Sequence, residues 1–150
     1  MMLAVVRPDD WNLPLFVHVA GAMLLVGFLV VAAASFARAA GGGGSADAPV
    51  LTRLGFRTLL IGALPAYIVM RGGAEWIAST EDVGDPTWVG LGYSISDGGL
   101  LVLLVATLFG ARAARRARDG GAAGRAVAIL ALVLLIAYAV AVWAMTAKPT

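Results

Sequence analysis

Long uncharged runs separated by charged clusters are the dominant pattern of the chain. Residues 13–36 carry no charge and are followed by Arg38, and residues 126–147 carry none between Arg125 and Lys148. A membrane-spanning helix needs about 20 mostly apolar residues, because the hydrocarbon layer is about 30 Å thick and a helix rises about 1.5 Å per residue. Both runs therefore predict helices that cross a bilayer.

Two shorter uncharged runs, residues 58–70 and 98–111, lie between these segments. Neither is long enough to cross the hydrocarbon layer alone. Each becomes long enough if the helix also takes in a charged neighbour, Arg57 in the first case and Asp97 in the second. Such a charge must extend to the headgroups or find a partner, because an unpaired charge in lipid costs several kcal/mol.

The whole chain, residues 1–150, is therefore predicted to be one all-α domain, a bundle of four transmembrane helices. The predicted spans are about 13–36, 50–71, 89–111 and 126–147. Residues 24–38 resemble residues 100–112, and both segments are predicted to run in the same direction. This similarity is compatible with two parallel hairpin repeats.

Composition supports a membrane protein and excludes several other classes. Hydrophobic residues make up 61% of the chain and charged residues 13%, whereas soluble domains carry about 25% charged residues. This balance excludes a disordered chain and a water-soluble fold. Cysteine is absent, which excludes disulfide frameworks, thiol redox chemistry and thiolate metal sites.

The arginines predict the orientation of the bundle. The first and third connections are basic and the second is acidic. Because cytoplasmic loops carry the excess of Lys and Arg, both chain ends are predicted to lie outside (N-out/C-out). The tryptophans support this orientation, since all of them fall at predicted outer ends, where indole rings favour the headgroup level: Trp11, Trp76, Trp88 and Trp143. Nucleic acid is not an expected partner, because the basic connections carry no interleaved aromatic residues.

Polar residues collect in the predicted outer half of the bundle. Counted from the tryptophans, His18 lies about 10 Å deep, Arg71 about 8 Å and Asp97 about 14 Å. The candidate site takes in the single histidine, all three tyrosines and the charged residues nearby: His18, Tyr67, Arg71, Glu75, Tyr93, Asp97 and Tyr138.

Helical spacing leaves two interpretations of this group open. Tyr67, Arg71 and Glu75 share one helix face, and Tyr93 and Asp97 share another. In the first interpretation the group lines a small pocket that opens outward. In the second, an Arg71–Asp97 ion pair fixes helix packing, and the histidine bonds to a backbone carbonyl.

Glycine and proline predict local helix geometry. Pro65 removes a helical hydrogen bond and predicts a kink. Gly72 and Gly73 either continue the second helix or end it just after Arg71. Close helix approach is expected at Gly21, Gly62 and Gly98.

Cofactor chemistry would depend on His18. A single histidine excludes a bis-histidine haem within one chain, and a histidine–methionine pair would draw on Met23, Met70 or Met145. No metal ligand and no catalytic residue is assigned. The expected cofactor content is none, with haem or copper as the alternative.

The first predicted helix contains the run His18-Val-Ala-Gly21-Ala-Met-Leu-Leu25-Val-Gly27. It resembles the first helix of small bacterial integral membrane proteins and the histidine-bearing helix of copper-resistance-D-type membrane domains. In those domains the histidine is followed by a small residue at +3, Trp at +7 and Gly at +9. Gly21 and Gly27 match, Leu25 departs, and the further histidines of those domains are missing here. The resemblance implies a bacterial, polytopic four-helix bundle. The expected location is the inner (plasma) membrane.

These observations lead to a functional hypothesis and an alternative. The hypothesis is a non-enzymatic membrane protein, either an accessory subunit or a binder of a small or lipidic ligand in the outer polar pocket. Its expected partners are membrane lipids, with a homo-oligomer or a larger membrane complex. The alternative is a proton- or metal-coupled transporter, or a haem or copper redox subunit, that uses His18 and Asp97.

The predicted orientation can be tested with single cysteines, because the natural chain has none. Ser45→Cys is expected to react with a membrane-impermeant maleimide only from the cytoplasmic side, and Thr80→Cys only from outside. Labelling of both positions from the same side would contradict the predicted orientation.

Overall fold

The computed structural model describes residues 12–41, 46–80, 87–116 and 121–147. Within these ranges the chain is helical apart from short turns, and it contains no strand. Some residues used in the sequence predictions lie outside the described ranges, among them Trp11, Ser45, Arg118 and Lys148.

Four long helices make up the described structure: α1 (Asn12–Gly41), α2 (Ala48–Thr80), α3 (Thr87–Arg115) and α4 (Gly121–Ala147). Each is long and apolar enough to cross a bilayer. The chain is an all-α multi-pass membrane protein built as a four-helix bundle, which confirms the predicted fold class.

The second helix is longer than its predicted span. It continues through Gly72 and Gly73 to Thr80, so the alternative in which these glycines end the helix is wrong. Glu75 therefore lies on α2, one turn beyond Arg71. Backbone hydrogen bonding satisfies the glycine amides at this depth, and lipid offers them no other partner.

Pro65 coincides with a change in the winding of α2. The helix is π-helical over Thr58–Ala63, and the N–H of Leu64 donates to the carbonyl of Leu59, five residues back. Proline has no N–H to offer the carbonyl four residues before it, and its ring would collide with that carbonyl in an α-helix. The disturbance expected at Pro65 therefore takes the form of a widened turn on its N-terminal side.

The helices form a ring in which each contacts the next and α4 contacts α1. The contact between α2 and α3 is uneven. The N-terminal part of α2 packs against α3, whereas its last segment, Leu64–Thr80, barely touches α3. We call the end of the bundle that carries Trp76, Trp88 and Trp143 the tryptophan end, and the opposite end the arginine end. The bundle is therefore open between α2 and α3 at the tryptophan end.

Phe36 fills the core at the arginine end and is completely buried. Its ring lies against a glycine from each of the other three helices. A Cβ atom placed on Gly55 would lie 2.7 Å from the ring, one on Gly110 3.3 Å and one on Gly124 3.8 Å. The missing side chains make the space that the phenyl ring occupies.

The helices α1 and α2 touch backbone to backbone at the tryptophan end. A Cβ atom on Gly21 would lie 2.5 Å from the backbone nitrogen of Met70, and one on Gly73 would lie 2.6 Å from the backbone nitrogen of His18. These distances are too short for any side chain. The two glycines therefore permit a contact that brings His18 next to Met70.

The other two glycines expected at close helix approaches behave differently. Gly62 faces the ring of Phe28, where a Cβ atom would lie 2.7 Å from the nearest ring atom. Gly98 has no neighbour within 4 Å of a Cβ position, so the prediction for Gly98 is wrong. Its neighbour Gly99 makes the contact instead, because one residue along a helix turns the side-chain direction by about 100°.

Large apolar side chains cover the outside of the bundle. Several are at least 67% exposed in the isolated chain: Phe16, Met23, Ile61, Ile68, Leu101 and Leu108. An apolar surface of this kind does not persist in water. Lipid tails are the solvent that suits it.

Alanine at Gly73 is expected to destabilise the protein by about 1–3 kcal/mol, because its Cβ would collide with the backbone of α1. Gly72→Ala is the matched control, since Gly72 has nothing within 4 Å of a Cβ position. The control should be neutral or gain up to about 1 kcal/mol of helix propensity. Unfolding free energies measured in mixed micelles test this difference, and equal effects would contradict the backbone contact.

Candidate functional site

A cavity of about 470 Å³ lies between the four helices at the tryptophan end. It is found where the last segment of α2 diverges from α3. Most of its lining consists of aliphatic and thioether side chains, and its polar lining comes from His18, Arg71, Trp88, Tyr93, Ser96 and Tyr138. A concave apolar site with a few polar groups is typical of small-molecule binding.

Arg71 connects α2 to α3 across the opening. Its guanidinium forms an ion pair with Glu75 on α2 and a second one with Asp97 on α3, where Nη2 and Oδ1 are 3.4 Å apart. The guanidinium carbon also lies 4.4 Å from the centroid of the Tyr93 ring, in cation–π contact. We call these four side chains the Arg71 cluster.

The members of the Arg71 cluster differ in exposure. The side chain of Arg71 is 26% exposed and lines the cavity, whereas those of Glu75 and Asp97 are 58% and 62% exposed and do not line it. The guanidinium therefore lies between the cavity and the two carboxylates. The ion pairs supply the partners that charges need at this depth.

A second polar link joins α2 to α3, from a residue of α2 that lies one turn closer to the arginine end than Arg71. The hydroxyl of Ser96 donates to the hydroxyl oxygen of Tyr67 at 3.4 Å, which is a long and weak hydrogen bond. Tyr67 is 4% exposed and belongs to the packed core. It therefore supports the site without lining the cavity.

The hydroxyl of Tyr138 is a buried polar group that the surrounding side chains leave unsatisfied. The residue is 5% exposed, and its hydroxyl has no hydrogen-bond partner within the part of the chain that the structure describes. A Cβ atom on Gly99 would lie 2.7 Å from this hydroxyl. A buried hydroxyl without a partner costs about 1–3 kcal/mol.

The ring of His18 is oriented by the backbone of α2. Its Nδ1 lies 2.9 Å from the carbonyl oxygen of Met70. A carbonyl only accepts hydrogen bonds, so Nδ1 carries the proton and donates. In the neutral ring Nε2 then keeps its lone pair. His18 is half-buried and lines the cavity.

The structure combines the two interpretations that the sequence left open. The Arg71–Asp97 ion pair and the bond from His18 to a backbone carbonyl are both present, and a cavity lies beside them. Of the seven candidate residues, four line the cavity: His18, Arg71, Tyr93 and Tyr138. Glu75 and Asp97 lie outside it on the bundle surface, and Tyr67 lies in the core next to it.

Three groups of the site were not in the predicted set: Trp88, Ser96 and the carbonyl of Met70. Trp88 was predicted only as a tryptophan at an outer end. Ser96 follows Tyr93 by three residues, and this spacing alone places it on the same helix face. The carbonyl of Met70 gives no sequence signal, because every residue has one.

The donors available to a metal or haem can be read from the cavity lining. Within the described ranges, no three His, Cys, Asp or Glu side chains form a group that could hold a metal ion. Met70 and Met145 line the cavity together with His18, whereas Met23 is 71% exposed on the outside. A histidine–methionine ligand pair in the cavity would therefore use Met70 or Met145.

No protein-family model matches this chain, and searches of curated proteins and of solved structures found no match either. The cavity and the polar groups around it are therefore the features that bear on function.

Arg71→Gln and Asp97→Asn are each expected to lower the free energy of unfolding, because the first leaves two carboxylates without their partner and the second removes one of the two ion pairs of Arg71. The double variant should lose less than the sum, with a coupling of about 0.5–3 kcal/mol. Unfolding in mixed micelles measures all three losses.

Arg53→Gln combined with Asp97→Asn is the control for this cycle, because Arg53 lies at the arginine end of α2. The losses of unfolding free energy caused by Arg53→Gln and Asp97→Asn should add in this double variant. Additive losses for the Arg71 and Asp97 pair as well would show that the ion pair contributes nothing to stability.

Proposed function

We propose that this protein is a non-enzymatic membrane protein that binds a small apolar or lipidic molecule in the cavity at the tryptophan end. The cavity itself is the observation that carries this proposal. Its volume of about 470 Å³ falls within the range of about 300–1,000 Å³ that is typical of ligand pockets. Its mostly apolar lining with a few polar groups suits such a ligand.

The opening between α2 and α3 supports a ligand that arrives from the bilayer. The last segment of α2 barely touches α3, and apart from the exposed carboxylates of Glu75 and Asp97 the surrounding surface is largely apolar. A molecule dissolved in the lipid therefore meets the opening directly. The positive-inside rule places this end of the bundle in the outer leaflet, and we propose the inner (plasma) membrane of a bacterium as the location.

Membrane lipids are the proposed partners of the exposed apolar surface. An accessory role in a larger membrane complex, or a homo-oligomer, is part of the same proposal, since either would cover some of this surface. Both roles are compatible with a ligand in the cavity, because the cavity is formed within one chain.

One observation favours the alternative of a haem or copper redox subunit, or of a transporter. His18 lines the cavity together with two methionines, and its Nε2 is left over by the hydrogen bond from Nδ1 to Met70. A Soret band or stoichiometric copper in the purified protein would support that function. Asp97 adds little to it, because this carboxylate is paired with Arg71 outside the cavity lining.

Filling the cavity is expected to weaken binding. Ala74 lines the cavity and is half-buried, so Ala74→Phe places a ring in the space that the ligand needs. We expect about tenfold weaker binding of para-octylphenol, equal to about 1.4 kcal/mol. Calorimetry on protein in lipid nanodiscs, with empty nanodiscs subtracted, measures this affinity.

Ala139→Phe is the matched control, since Ala139 is exposed on α4 and does not line the cavity. It should leave the affinity within about twofold. Equal affinities for the natural protein and both variants would show that the probe does not occupy the cavity.

A further inference from the structure

The hydrogen bond from His18 to α2 decides which atom of the ring is available. Nδ1 is committed to the carbonyl of Met70 at 2.9 Å. The backbone contacts at Gly21 and Gly73 hold α1 and α2 together around this bond. Nε2 is therefore the ring atom left for another partner, and the described residues provide no hydrogen bond to it.

A neutral imidazole nitrogen with a lone pair only accepts hydrogen bonds. In an apolar cavity such an acceptor favours ligands that can donate a hydrogen bond, because a ligand without a donor would leave the nitrogen buried and unpartnered, at a cost in free energy. A ligand that fills the cavity removes water from Nε2. The ligand that fits best is therefore one that brings an O–H or N–H donor.

Charge narrows the choice further. Arg71 is the only charged side chain that lines the cavity among the described residues, and two carboxylates are already paired with it. An anionic headgroup would add a third negative charge to the Arg71 cluster. A cationic headgroup would meet the guanidinium before either carboxylate. The cavity therefore favours an uncharged ligand.

We infer that the cavity selects an uncharged amphiphile with a hydroxyl group, such as a long-chain alcohol or an alkylphenol, and that this hydroxyl donates to Nε2 of His18. The inference rests on the proposed function, because it assigns the chemistry of a ligand in the same cavity.

The experiment compares para-octylphenol with para-octylanisole, its methyl ether. The ether keeps the ring, the chain and the oxygen but cannot donate a hydrogen bond. Both affinities are measured by calorimetry in nanodiscs, after correction for partition into empty nanodiscs. The natural protein is expected to bind the phenol about 3- to 10-fold more tightly than the ether, the range that one hydrogen bond provides.

Two variants separate the structural role of His18 from its role towards the ligand. In His18→Asn, the amide nitrogen replaces Nδ1 and can donate to the carbonyl of Met70, but no acceptor reaches the position of Nε2. In His18→Gln, the longer amide reaches that position with its oxygen and gives up the bond to Met70. We expect His18→Asn to stay folded and to bind phenol and ether equally, and His18→Gln to keep part of the preference.

Three results would overturn the inference while leaving the proposed function intact. The first is equal binding of phenol and ether by the natural protein, with Ala74→Phe weakening both. The second is tighter binding of para-octylbenzoate than of the phenol. The third is a full preference for the phenol in His18→Asn. If none of the probes binds and Ala74→Phe changes nothing, the inference and the proposed function fail together.

Should His18→Asn fail to fold, the comparison of phenol and ether in the natural protein and in His18→Gln still decides the question. Ala139→Phe serves as the control for both ligands. It should keep the preference of the natural protein for the phenol, because the substituted side chain lies on the outside of the bundle.

Discussion

The direct backbone contact between α1 and α2 at Gly21 and Gly73 is the interaction on which the rest of the structure depends. Because neither residue has a side chain, the two helices approach closely enough for the ring of His18 to bond to a carbonyl of α2. The same contact draws the last segment of α2 towards α1. That segment has few contacts with α3, and the cavity occupies the space between them.

Polar and charged side chains connect α2 and α3 at the tryptophan end, where the two helices do not pack against each other. Across the opening, α2 and α3 are joined by the Arg71 cluster and by the long hydrogen bond between Ser96 and Tyr67. These contacts are directional and few, whereas the glycine and phenylalanine contacts elsewhere are extensive. The part of the bundle that encloses the cavity is therefore held by polar bonds at a depth where lipid provides no substitute for them.

The sequence predicts the four spans and the layer that holds Arg71 and Asp97, because lipid imposes a length on each helix and requires partners for each charge. It offers a pocket only as one of two interpretations, because the distance between two helices cannot be derived from the sequence. It predicts a close contact at Gly98, whereas the contact is made by Gly99. The two residues lie at nearly the same depth and differ only in the direction they face around the helix. The hydrogen bond from His18 was open as one alternative, but its partner, a backbone carbonyl, is invisible in a sequence.

The π-helical turn at Thr58–Ala63 has a consequence for how this chain tolerates insertions and deletions. The turn adds about one residue to the winding of α2, and each residue of an α-helix corresponds to a rotation of about 100°. It therefore sets the rotational phase of Arg71 relative to the buried face around Gly55 and Leu59. Removing a single residue within the turn would restore α-helical winding and leave the guanidinium facing α3, whereas removing one from the α-helical stretch that follows would rotate the guanidinium by about 100°.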